Sequence, residues 1–513
     1  MTRISIATTL LAVAALLGAP GAFAGQAPGA ASDPDIPVSH ADRVYSAEQY
    51  SNTVSVTDPA DNKLVGVIRL GDATPSSLSP LYRGQLLVHG MGFSPDHRTI
   101  AVVSIGSNSV TFIDTATNMV KHTTYVGRSP HEAFFTPDGR EVWVTVRGEN
   151  YVSVLDPTTY EEKTRIVVAA GPGMTIFSPD GTYGYVCSSF TPETAVVAVA
   201  DHRIVARVPQ ASPFCPNIAA TPDGSQVWFT LKDIGKTQVF QGQPPFGLLK
   251  TLDTGPITNH VNIVRNANGM FAYVTIGGRD QVQVFRTDDF SKVATIPVGR
   301  LPHGIWPSGD GSRVYVGLEN EDRVTAIDTL TNTVIATSPI GQAPQALVYV
   351  PRAVPGEQSA ANAANAAMTT MMPGAAPAAG ATGLQPLGIA GATAQLWLAP
   401  GGQETTDSTT DANRAPTSVT LFDQGLVQVL EAAVTGLAPS KPYVLALARD
   451  RSGTGRLQPL QGFMTNPAGS AVVNAIGPIR QLVRGEDKSE PRYLVIAPGT
   501  AQDHGAPTQV QIE

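Results

Sequence analysis

The chain has 513 residues, more than one ordinary hydrophobic core accommodates, so at least two domains are expected. Only 15% of the residues are charged, and the formal net charge is -8. No basic stripe that could neutralise phosphates is visible, and this excludes nucleic acid as an expected partner.

The N-terminus has the pattern of a secretory signal peptide. Arg3 provides a short positive start, residues 4–17 are apolar, and Ala22-Phe23-Ala24 fits a small-x-small cleavage site. The apolar run is too short to cross a membrane, and no later stretch of the sequence reaches spanning length. The sequence therefore predicts a signal peptide over residues 1–24, a secreted or periplasmic protein, and no membrane span.

A short turn sequence recurs at nearly constant spacing through the next part of the chain. Its central residues are Asp96, Asp138, Asp180, Asp223, Asn268 and Asp310. The steps between them are 42, 42, 43, 45 and 42 residues. A period of this length accommodates four short strands and their turns, which is the unit of a propeller blade.

Each repeat has the internal pattern of antiparallel strands. After Asp138-Gly139, the segments EVWVTV and NYVSVLD alternate apolar and polar residues and are rich in β-branched side chains. Six such units fall between about His89 and Ile340, three further strands precede them, and the lone strand APQALVYVP follows. Pairing the two ends makes a seventh blade and removes exposed sheet edges. The fold prediction is therefore an all-β, seven-bladed β-propeller over residues 38–351.

The repeats resemble a known family at the level of individual blades. The segments TPDGREVWVTVRGENYVSVLDPTTYEE and PHGIWPSGDGSRVYVGLENEDRVTAIDTLTNTVIATSPIG are similar to the YVTN-type β-propeller repeat of secreted bacterial proteins. The resemblance covers roughly 310 residues and implies the fold. It leaves function open, because similar propellers serve as binding proteins, surface proteins and ring-opening lactonases, and others carry metal or haem sites.

Beyond the propeller, the composition changes twice. Residues 352–383 are dominated by Ala, Gly, Met, Asn and Pro, which is typical of a flexible linker. Residues 384–513 contain about seven short strand patterns, which favour a small β-sandwich. Within it, VTGLAPSKPYVLAL resembles the fibronectin-III or immunoglobulin-like tyrosine corner, and it is also similar to the outer domain of some anti-sigma factors. Leu437, Pro439 and Tyr443 match the corner, which implies a structural role for the tyrosine hydroxyl.

Histidines recur at one level of the predicted tunnel. Counting back seven residues from each turn residue leads to the tunnel mouth, at His89, His131, Gly173, Pro216, Val261 and His303. Gln345 aligns with them in the closing blade, and His260 lies one residue out of phase. Three interpretations stay open: repeat residues that hydrogen-bond to neighbouring blades, contacts to a ligand, or a metal site. The candidate metal ligands are His89, His131, His260 and His303, and imidazole suits Cu, Zn and Fe.

Two arginines each precede one of these histidines by three residues. Arg128 and Arg300 would place positive charge near the tunnel mouth and favour an anionic ligand. The alternative is an ion pair between blades, for which the candidate acidic partners are Glu132, Glu149, Glu319, Glu321 and Asp322. One of these acids acting with a histidine would make a general base, although no sequence spacing fixes such a pair.

Cysteine usage is sparse. The chain has only Cys187 and Cys215, which fall on adjacent predicted blades and on the tunnel-mouth side. Since a secreted protein folds in an oxidising setting, the sequence predicts a disulfide between them.

Two classes of function stay open. The first is a binding module without catalysis, which takes a small anionic ligand or another protein at the tunnel-mouth face and is expected to be a monomer. The second is an enzyme that uses the histidines, either a metal-dependent oxidoreductase or a lactonase-like hydrolase, with Cu, Zn or Fe as candidate metals. The candidate ligand-binding residues are His89, His131, His260, His303, Arg128, Arg300 and Gln345.

Overall fold

The computed structural model describes most of the propeller and most of the second domain. The described residues are 36–71, 86–354, 383–390, 393–401, 416–423, 428–450, 452–453, 455–477, 479 and 492–512. The predicted signal peptide and residues 355–382 of the predicted linker lie outside the described residues.

Seven four-stranded antiparallel sheets form a β-propeller, which confirms the predicted fold. The chain begins with three strands of blade 7, which are β1 (Arg43–Glu48), β2 (Thr53–Asp58) and β3 (Lys63–Arg69). Blades 1 to 3 follow, with β4 (Val88–Phe93), β5 (Thr99–Ser104), β6 (Ser109–Asp114), β7 (Val120–Tyr125), β8 (Pro130–Phe135), β9 (Val142–Val146), β10 (Tyr151–Leu155), β11 (Glu162–Val167), β12 (Pro172–Phe177), β13 (Tyr183–Ser188), β14 (Glu193–Ala198) and β15 (Ile204–Pro209).

Blades 4 to 6 continue the same order of strands. They comprise β16 (Ile218–Ala220), β17 (Gln226–Leu231), β18 (Lys236–Gln241), β19 (Leu248–Asp253), β20 (Thr258–Asn266), β21 (Gly269–Ile276), β22 (Gln281–Arg286), β23 (Lys292–Pro297), β24 (Pro302–Pro307), β25 (Arg313–Leu318), β26 (Arg323–Asp328) and β27 (Thr333–Pro339). The last propeller strand, β28 (Pro344–Val350), returns to blade 7 and pairs with β1, where Tyr45 lies opposite Val348. The two ends of the propeller are therefore held in one sheet, and the ring has no free edge at its closure.

The repeated turns have the geometry that their residue types predict. The Thr136 hydroxyl donates to the Asp138 carboxylate at 2.6 Å, and this carboxylate accepts from the amide of Arg140 at 3.1 Å. Gly139 has a φ of 70°, a left-handed conformation that glycine adopts without strain. The recurring turn thus fixes where each second strand begins, and so also where it ends at the tunnel mouth.

The second domain is one eight-stranded antiparallel sheet. Its strands are β29 (Thr393–Pro400), β30 (Thr417–Asp423), β31 (Gln428–Val434), β32 (Pro442–Ala448), β33 (Gln458–Met464), β34 (Ala471–Gly477), β35 (Tyr493–Pro498) and β36 (Gln509–Gln511). They lie in the order β33-β32-β35-β36-β29-β30-β31-β34, and the two end strands approach each other, so the sheet is nearly closed. The likeness to an immunoglobulin-type domain stays a prediction.

Short 3₁₀ segments and the tyrosine corner complete the description. The 3₁₀ segments are Gly277–Arg279 and Leu387–Ala390. The Tyr443 hydroxyl accepts a hydrogen bond from the amide of Ala438 at 3.2 Å, which is the structural role expected of it. Among the described residues, no helix is long and apolar enough to cross a membrane.

Cys187 and Cys215 are joined by a disulfide. Cys187 lies in β13 of blade 3, Cys215 precedes β16 of blade 4, and their Cα atoms are 6.0 Å apart. The bond therefore ties two neighbouring blades together at the tunnel-mouth side, between the two cysteines that the sequence pairs.

Candidate functional site

Four histidines converge at one end of the tunnel, and here they are called the histidine cluster: His89, His131, His260 and His303. The ring centroids of His89 and His131 are 4.5 Å apart, those of His260 and His303 are 4.8 Å apart, and those of His89 and His303 are 6.2 Å apart. All four side chains are buried. The structure therefore brings together all four histidines that the sequence places at the mouth, including the one that is out of phase.

Backbone irregularity explains how these side chains reach the axis. The pairing of first and second strands shifts register between Val88 and Met91, and again between Pro302 and Ile305, which places His89 and His303 within bulges. A bulge turns a side chain out of the regular alternation of a strand. Gly90 follows His89 because a Cβ there would lie 2.0 Å from the carbonyl oxygen of His131 in the next blade. The close approach of neighbouring blades accounts for the glycine after the histidine.

His89 and His131 form a hydrogen-bonded pair. Their Nε2 atoms are 3.0 Å apart, and Nδ1 of His131 lies 2.8 Å from the carbonyl oxygen of Gly173. Since a carbonyl oxygen only accepts, Nδ1 of His131 carries a proton, and its Nε2 accepts from His89 when both rings are neutral. The Nδ1 of His89 is then an acceptor and lies 3.3 Å from Oε1 of Gln49, so the two form a hydrogen bond only if the Gln49 amide presents its NH₂ group to the ring.

His303 is held by a carboxylate instead. Its Nδ1 lies 2.7 Å from Oε2 of Glu319, and the side-chain amide of Gln345 donates to Oε1 of the same carboxylate at 2.6 Å. This leaves Nε2 of His303 as the basic nitrogen, turned away from the carboxylate. Gln345, which the sequence places among the ligand contacts, orients Glu319.

His260 contributes an orphaned nitrogen. Its ring packs edge-on against His303, and its Nε2 is buried with no hydrogen-bond partner among the described residues. A buried polar atom without a partner costs free energy, so such an atom points to a bound water or ligand.

Burial sets the protonation states of the histidine cluster. Desolvation lowers the pKa of all four imidazoles below their ordinary value of 6.5, and the charge of Arg147 lowers the pKa of His89 and of His131 further. The nearby carboxylate of Glu319 opposes this effect for His303. For Glu319, burial alone would raise the pKa, but His303, Lys232 and the amide of Gln345 together lower it. At neutral pH the site therefore holds neutral imidazoles beside one ionised carboxylate.

A second ring of residues surrounds the histidine cluster, and here it is called the rim. Each member directly follows the second strand of its blade: Gln49, Ile105, Arg147, Ser189, Lys232, Gly277 and Glu319. Arg147 and Lys232 supply positive charge that the sequence analysis missed. The spacing in the sequence could have identified them, since six of the seven rim residues lie nine residues after a turn residue.

The two rim cations lack the partners that buried cations usually have. Among the described residues, neither forms an ion pair, and Nε of Arg147 is buried without a hydrogen bond. The Arg147 guanidinium lies 5.6 Å from the ring of Phe190 and 5.1 Å from that of Phe214. Burial lowers the pKa of Arg147 to about 10 and also lowers the pKa of Lys232. The Arg147 guanidinium is therefore available to an anion, whereas Lys232 lies near the carboxyl groups of Glu319 and Glu431.

The second domain covers part of the mouth. Alternate residues of three of its strands face the propeller, and this outer face of β29, β30 and β31 is here called the roof. Phe422 packs on Tyr50 of blade 7 with ring centroids 4.7 Å apart, and Trp397 stacks 3.8 Å from the guanidinium carbon of Arg300 in blade 6. The Tyr50 hydroxyl donates to Oε2 of Glu431 at 2.8 Å. The second domain thus covers the side of the mouth formed by blades 6 and 7.

A cavity continues from the histidine cluster into the tunnel. It is small, about 20 Å³, and its polar lining comes from Glu132, His260, Asn217 and Asn262. Burial raises the pKa of Glu132 well above its ordinary value, which favours the protonated, uncharged carboxyl. The cavity therefore differs in its electrostatics from the charged rim.

Arg128 and Arg300 lie outside the cluster. Arg128 is exposed and pairs with Glu149 at 2.8 Å, while Arg300 lies 3.6 Å from Glu321 and stacks on the roof. Both acidic partners are among the candidates that the sequence offered, but each pair lies within a single blade and not between blades. Their role as ligand contacts stays a prediction, whereas Arg147 and Lys232 occupy the mouth itself.

Metal binding by the histidine cluster also stays a prediction. Among the described residues, three donor atoms come within 4.8 Å of one another at His40, Asp58 and Asp61, and the histidine cluster makes no such group. At the former group, Asp58 already contacts His40 at 2.9 Å and Arg43 at 3.7 Å. The cluster has the chemistry of a metal site in its neutral imidazoles, but only His89 and His131 bring donor nitrogens close together.

Comparison with known proteins supports the propeller architecture. None of the curated proteins compared with the chain matches it. Similar solved structures include a functionally unknown protein from Desulfotomaculum acetoxidans, at 14% identity and a TM-score of 0.50, covering 60% of this chain and 98% of that one.

Two further solved structures are similar over a comparable share of the chain. The Pseudomonas aeruginosa periplasmic gluconolactonase has 20% identity and a TM-score of 0.47, covering 60% of this chain and 99% of that one. The Kuenenia stuttgartiensis hydrazine synthase has 19% identity and a TM-score of 0.47, covering 54% of this chain and 93% of that one. At such identities the likeness concerns the fold alone. Residues 115–335, which include His131, His260, His303 and Glu319, match the family described as lactonase, 7-bladed beta-propeller.

Proposed function

We propose that the protein hydrolyses a small lactone or ester at the partly covered mouth of the propeller. The observation that carries this proposal is the buried pair formed by His303 and Glu319, at 2.7 Å, in a mouth that also holds two cations. Lys232 acts electrostatically on this pair, and Arg147 acts on His89 and His131. A general base oriented by a carboxylate and cations for a developing oxyanion are the two elements that ester hydrolysis requires. The family match over residues 115–335 supports the same chemistry.

In this mechanism, Nε2 of His303 removes a proton from a water molecule as that water attacks the carbonyl carbon. Glu319 lies against Nδ1 and stabilises the imidazolium that forms, because opposite charges in a poorly solvated site attract strongly. Gln345 holds the carboxylate in place. The role is feasible at neutral pH because burial lowers the pKa of His303 and keeps the imidazole unprotonated.

The rim cations stabilise the negative charge that develops on the carbonyl oxygen. Lys232 is close enough to lower the pKa of Glu319 and of His303, and Arg147 acts in the same way on His89 and His131. The new bond joins the water oxygen to the carbonyl carbon, and the bond to the ring oxygen breaks. His303 returns its proton to the leaving oxygen, and the product is a hydroxy acid.

Binding without turnover is the second candidate function. It is favoured by the same unpaired Arg147, whose guanidinium fork suits a carboxylate. The two functions differ in the fate of the lactone, so one assay separates them.

The test is to measure the hydrolysis of a panel of lactones, monitored as the acid that is released at constant pH. The panel comprises a γ-lactone, a δ-aldonolactone and a lactone that carries a carboxylate. We expect turnover of at least one substrate, and loss of about 99% or more of it in His303→Ala, since a general base contributes about 10²–10⁴-fold. His122→Ala serves as the control, because His122 is exposed on the outer strand β7.

Two results would overturn the proposal. One is a folded wild-type protein that binds a panel lactone by calorimetry and leaves it intact, which would favour the binding module. The other is turnover that is equal in His303→Ala and His122→Ala, because the chemistry would then lie elsewhere.

A further inference from the structure

The roof places one ionisable residue over the tunnel mouth. In β31, Leu430 and Ala432 belong to the core of the second domain, whereas the alternating Val429, Glu431 and Ala433 face the propeller. Val429 packs with Tyr50 and Ala343 of blade 7, and Ala433 packs with Ile257 and Leu301 of blades 5 and 6. Glu431 lies between these two apolar contacts, and it is 2% exposed.

The two oxygens of Glu431 have different surroundings. Oε2 accepts from the Tyr50 hydroxyl at 2.8 Å, whereas Oε1 is buried and has no donor among the described residues. The Glu319 carboxylate is the neighbour of Glu431 across the domain boundary. An ionised Glu431 would leave a buried charged oxygen without a donor, next to a second negative charge, and both effects are unfavourable.

A proton on Oε1 removes both penalties. The protonated oxygen becomes a donor, and Glu319 is the acceptor beside it. The ionisable groups that face Glu431 are Tyr50, Glu319 and Lys232. Burial, together with the charge of Glu319, raises the pKa of Glu431 well above its ordinary value, while Lys232 only partly offsets this. Two carboxyl groups that share one proton are a known way to keep one acid neutral at pH 7.

We propose that Glu431 is a positioning residue of the hydrolytic site, whose carboxyl proton is shared with Glu319 so that the site is complete only when the second domain is docked. Glu319 then receives donors from three directions: His303 and Gln345 of the propeller and Glu431 of the roof. This network fixes the carboxylate in the orientation in which it holds His303. The catalytic part of the inference rests on the proposed function, whereas proton sharing does not.

The inference predicts different behaviour for two substitutions. Glu431→Gln retains an acceptor for Tyr50 and supplies an N–H donor to Glu319, so we expect kcat to stay within about threefold of wild type. Glu431→Ala removes the donor, and we expect kcat to fall roughly tenfold or more, because small misplacements of catalytic groups have large effects on rate. Trp397→Leu is the matched control, because it weakens the roof contact with Arg300 and leaves the carboxyl pair intact.

A pH profile separates positioning from general destabilisation. In the wild type, ionisation of Glu431 at high pH would remove the shared proton, so kcat should decline there. In Glu431→Gln no such proton exists, and the decline at high pH should disappear. A variant that only loosened the fold would lower kcat at every pH.

Infrared difference spectroscopy tests the shared proton without any substrate. For the full-length protein at pH 7, the difference spectrum between wild type and Glu431→Gln should contain a buried carboxylic acid band, because the bands of other buried carboxyls such as Glu48 and Glu132 cancel in it. The difference spectrum between wild type and Trp397→Leu should lack this band. If this band is seen and no lactone is hydrolysed, the proton-sharing pair stands and the proposed hydrolysis falls. If lactones are hydrolysed, but the band and the pH profile are the same in wild type and Glu431→Gln, the inference is overturned.

Discussion

Blades 2 and 6 begin with nearly the same sequence, but their histidines have different hydrogen-bond partners. GRSPHEAFFTPDG carries His131, and GRLPHGIWPSGDG carries His303. Both histidines lie in bulges of the first strand, and both are buried at the same end of the tunnel. Yet Nδ1 of His131 is bound to a backbone carbonyl of blade 3, whereas Nδ1 of His303 is bound to the carboxylate of Glu319.

The difference arises on the second strand, away from the shared motif. The rim residue is Arg147 in blade 2 and Glu319 in blade 6, although both follow a turn residue by nine positions. A carbonyl oxygen can orient an imidazole, but it cannot neutralise an imidazolium as a carboxylate does. The repeat therefore supplies one scaffold twice, and the rim residue gives the two histidines different surroundings, which is the basis for proposing a structural role for His131 and a chemical role for His303.

The largest expected effect comes from removing each histidine in turn. If His303 is the general base and His131 is not, His303→Ala lowers kcat/KM by about 10³-fold, within the range for loss of a general base. His131→Ala should lower it by less than about tenfold, because it only disturbs packing and a hydrogen bond. Steady-state kinetics on the best lactone of the panel, with circular dichroism to verify folding, measures both. Equal losses would erase the distinction between the blades.

Replacing the carboxylate tests why His303 differs. In Glu319→Gln the imidazolium loses its negative partner, and we expect kcat to fall about 10²-fold, in line with the loss of one strong electrostatic contact. The direction of the pH shift is also fixed. Burial lowers the pKa of His303 and Glu319 opposes this, so without Glu319 the pKa of His303 falls further.

The acid side of the kcat profile should therefore move to lower pH in Glu319→Gln. A shift to higher pH, or an unchanged profile, would mean that Glu319 does not support His303. Glu321→Gln is the control, since Glu321 lies on the same loop and pairs with Arg300 instead.

A buried glutamate away from the site, Glu48, has no cationic partner among the described residues and so provides a contrast with Glu319 that can be measured as protein stability. Glu48 of blade 7 accepts from the Thr53 hydroxyl at 2.6 Å and from the Ser55 amide at 3.1 Å, both uncharged donors. Burial raises its pKa from 4.5 to about 8. Between these pH values the folded protein binds a proton that the unfolded chain releases. The stabilising contribution is thus complete below the unfolded pKa and is lost as the pH rises through about 8.

The free energy of unfolding should decline by up to about 1.4 kcal/mol per pH unit in this window, and less in Glu48→Gln. Urea denaturation at pH 6 and at pH 8.5 gives the two values. Glu161→Gln, at an exposed position, should follow the wild type. A wild-type slope that persists in Glu48→Gln would assign the effect to another group.

The sequence predicts the propeller well because its information is periodic. Turn residues spaced by about 42 positions, alternating strands and a lone C-terminal strand suffice for seven blades and their closure. The same period brings His89, His131 and His303 to one level. The sequence also names His260, one residue out of phase with a count that leads to Val261, and the bulge in the long strand β20 accounts for this offset.

The remaining site residues come from contacts that no spacing records. Glu431 is far from the propeller in sequence, and only docking of the second domain places it beside Glu319. Arg147 lies nine residues after the turn residue Asp138, but this spacing indicates a place at the mouth only because the structure shows the rim residues to form a ring. Sequence reasoning instead favoured Arg128, because it lies next to the histidine motif along the chain.

Arg128 and Arg147 therefore provide a direct test, with the smallest expected effect. Both belong to blade 2, but Arg128 is exposed and paired with Glu149, whereas Arg147 lies at the mouth with Nε unpartnered among the described residues. Arg147→Met should raise KM about tenfold for the lactone that carries a carboxylate, the loss of one charge-assisted hydrogen bond. It should change KM much less for a neutral lactone. Arg128→Met should leave both KM values unchanged, because its guanidinium only forms a surface ion pair. If KM instead rose in Arg128→Met and stayed unchanged in Arg147→Met, Arg128 would be the residue that contacts the anion, and the substrate would bind outside the rim.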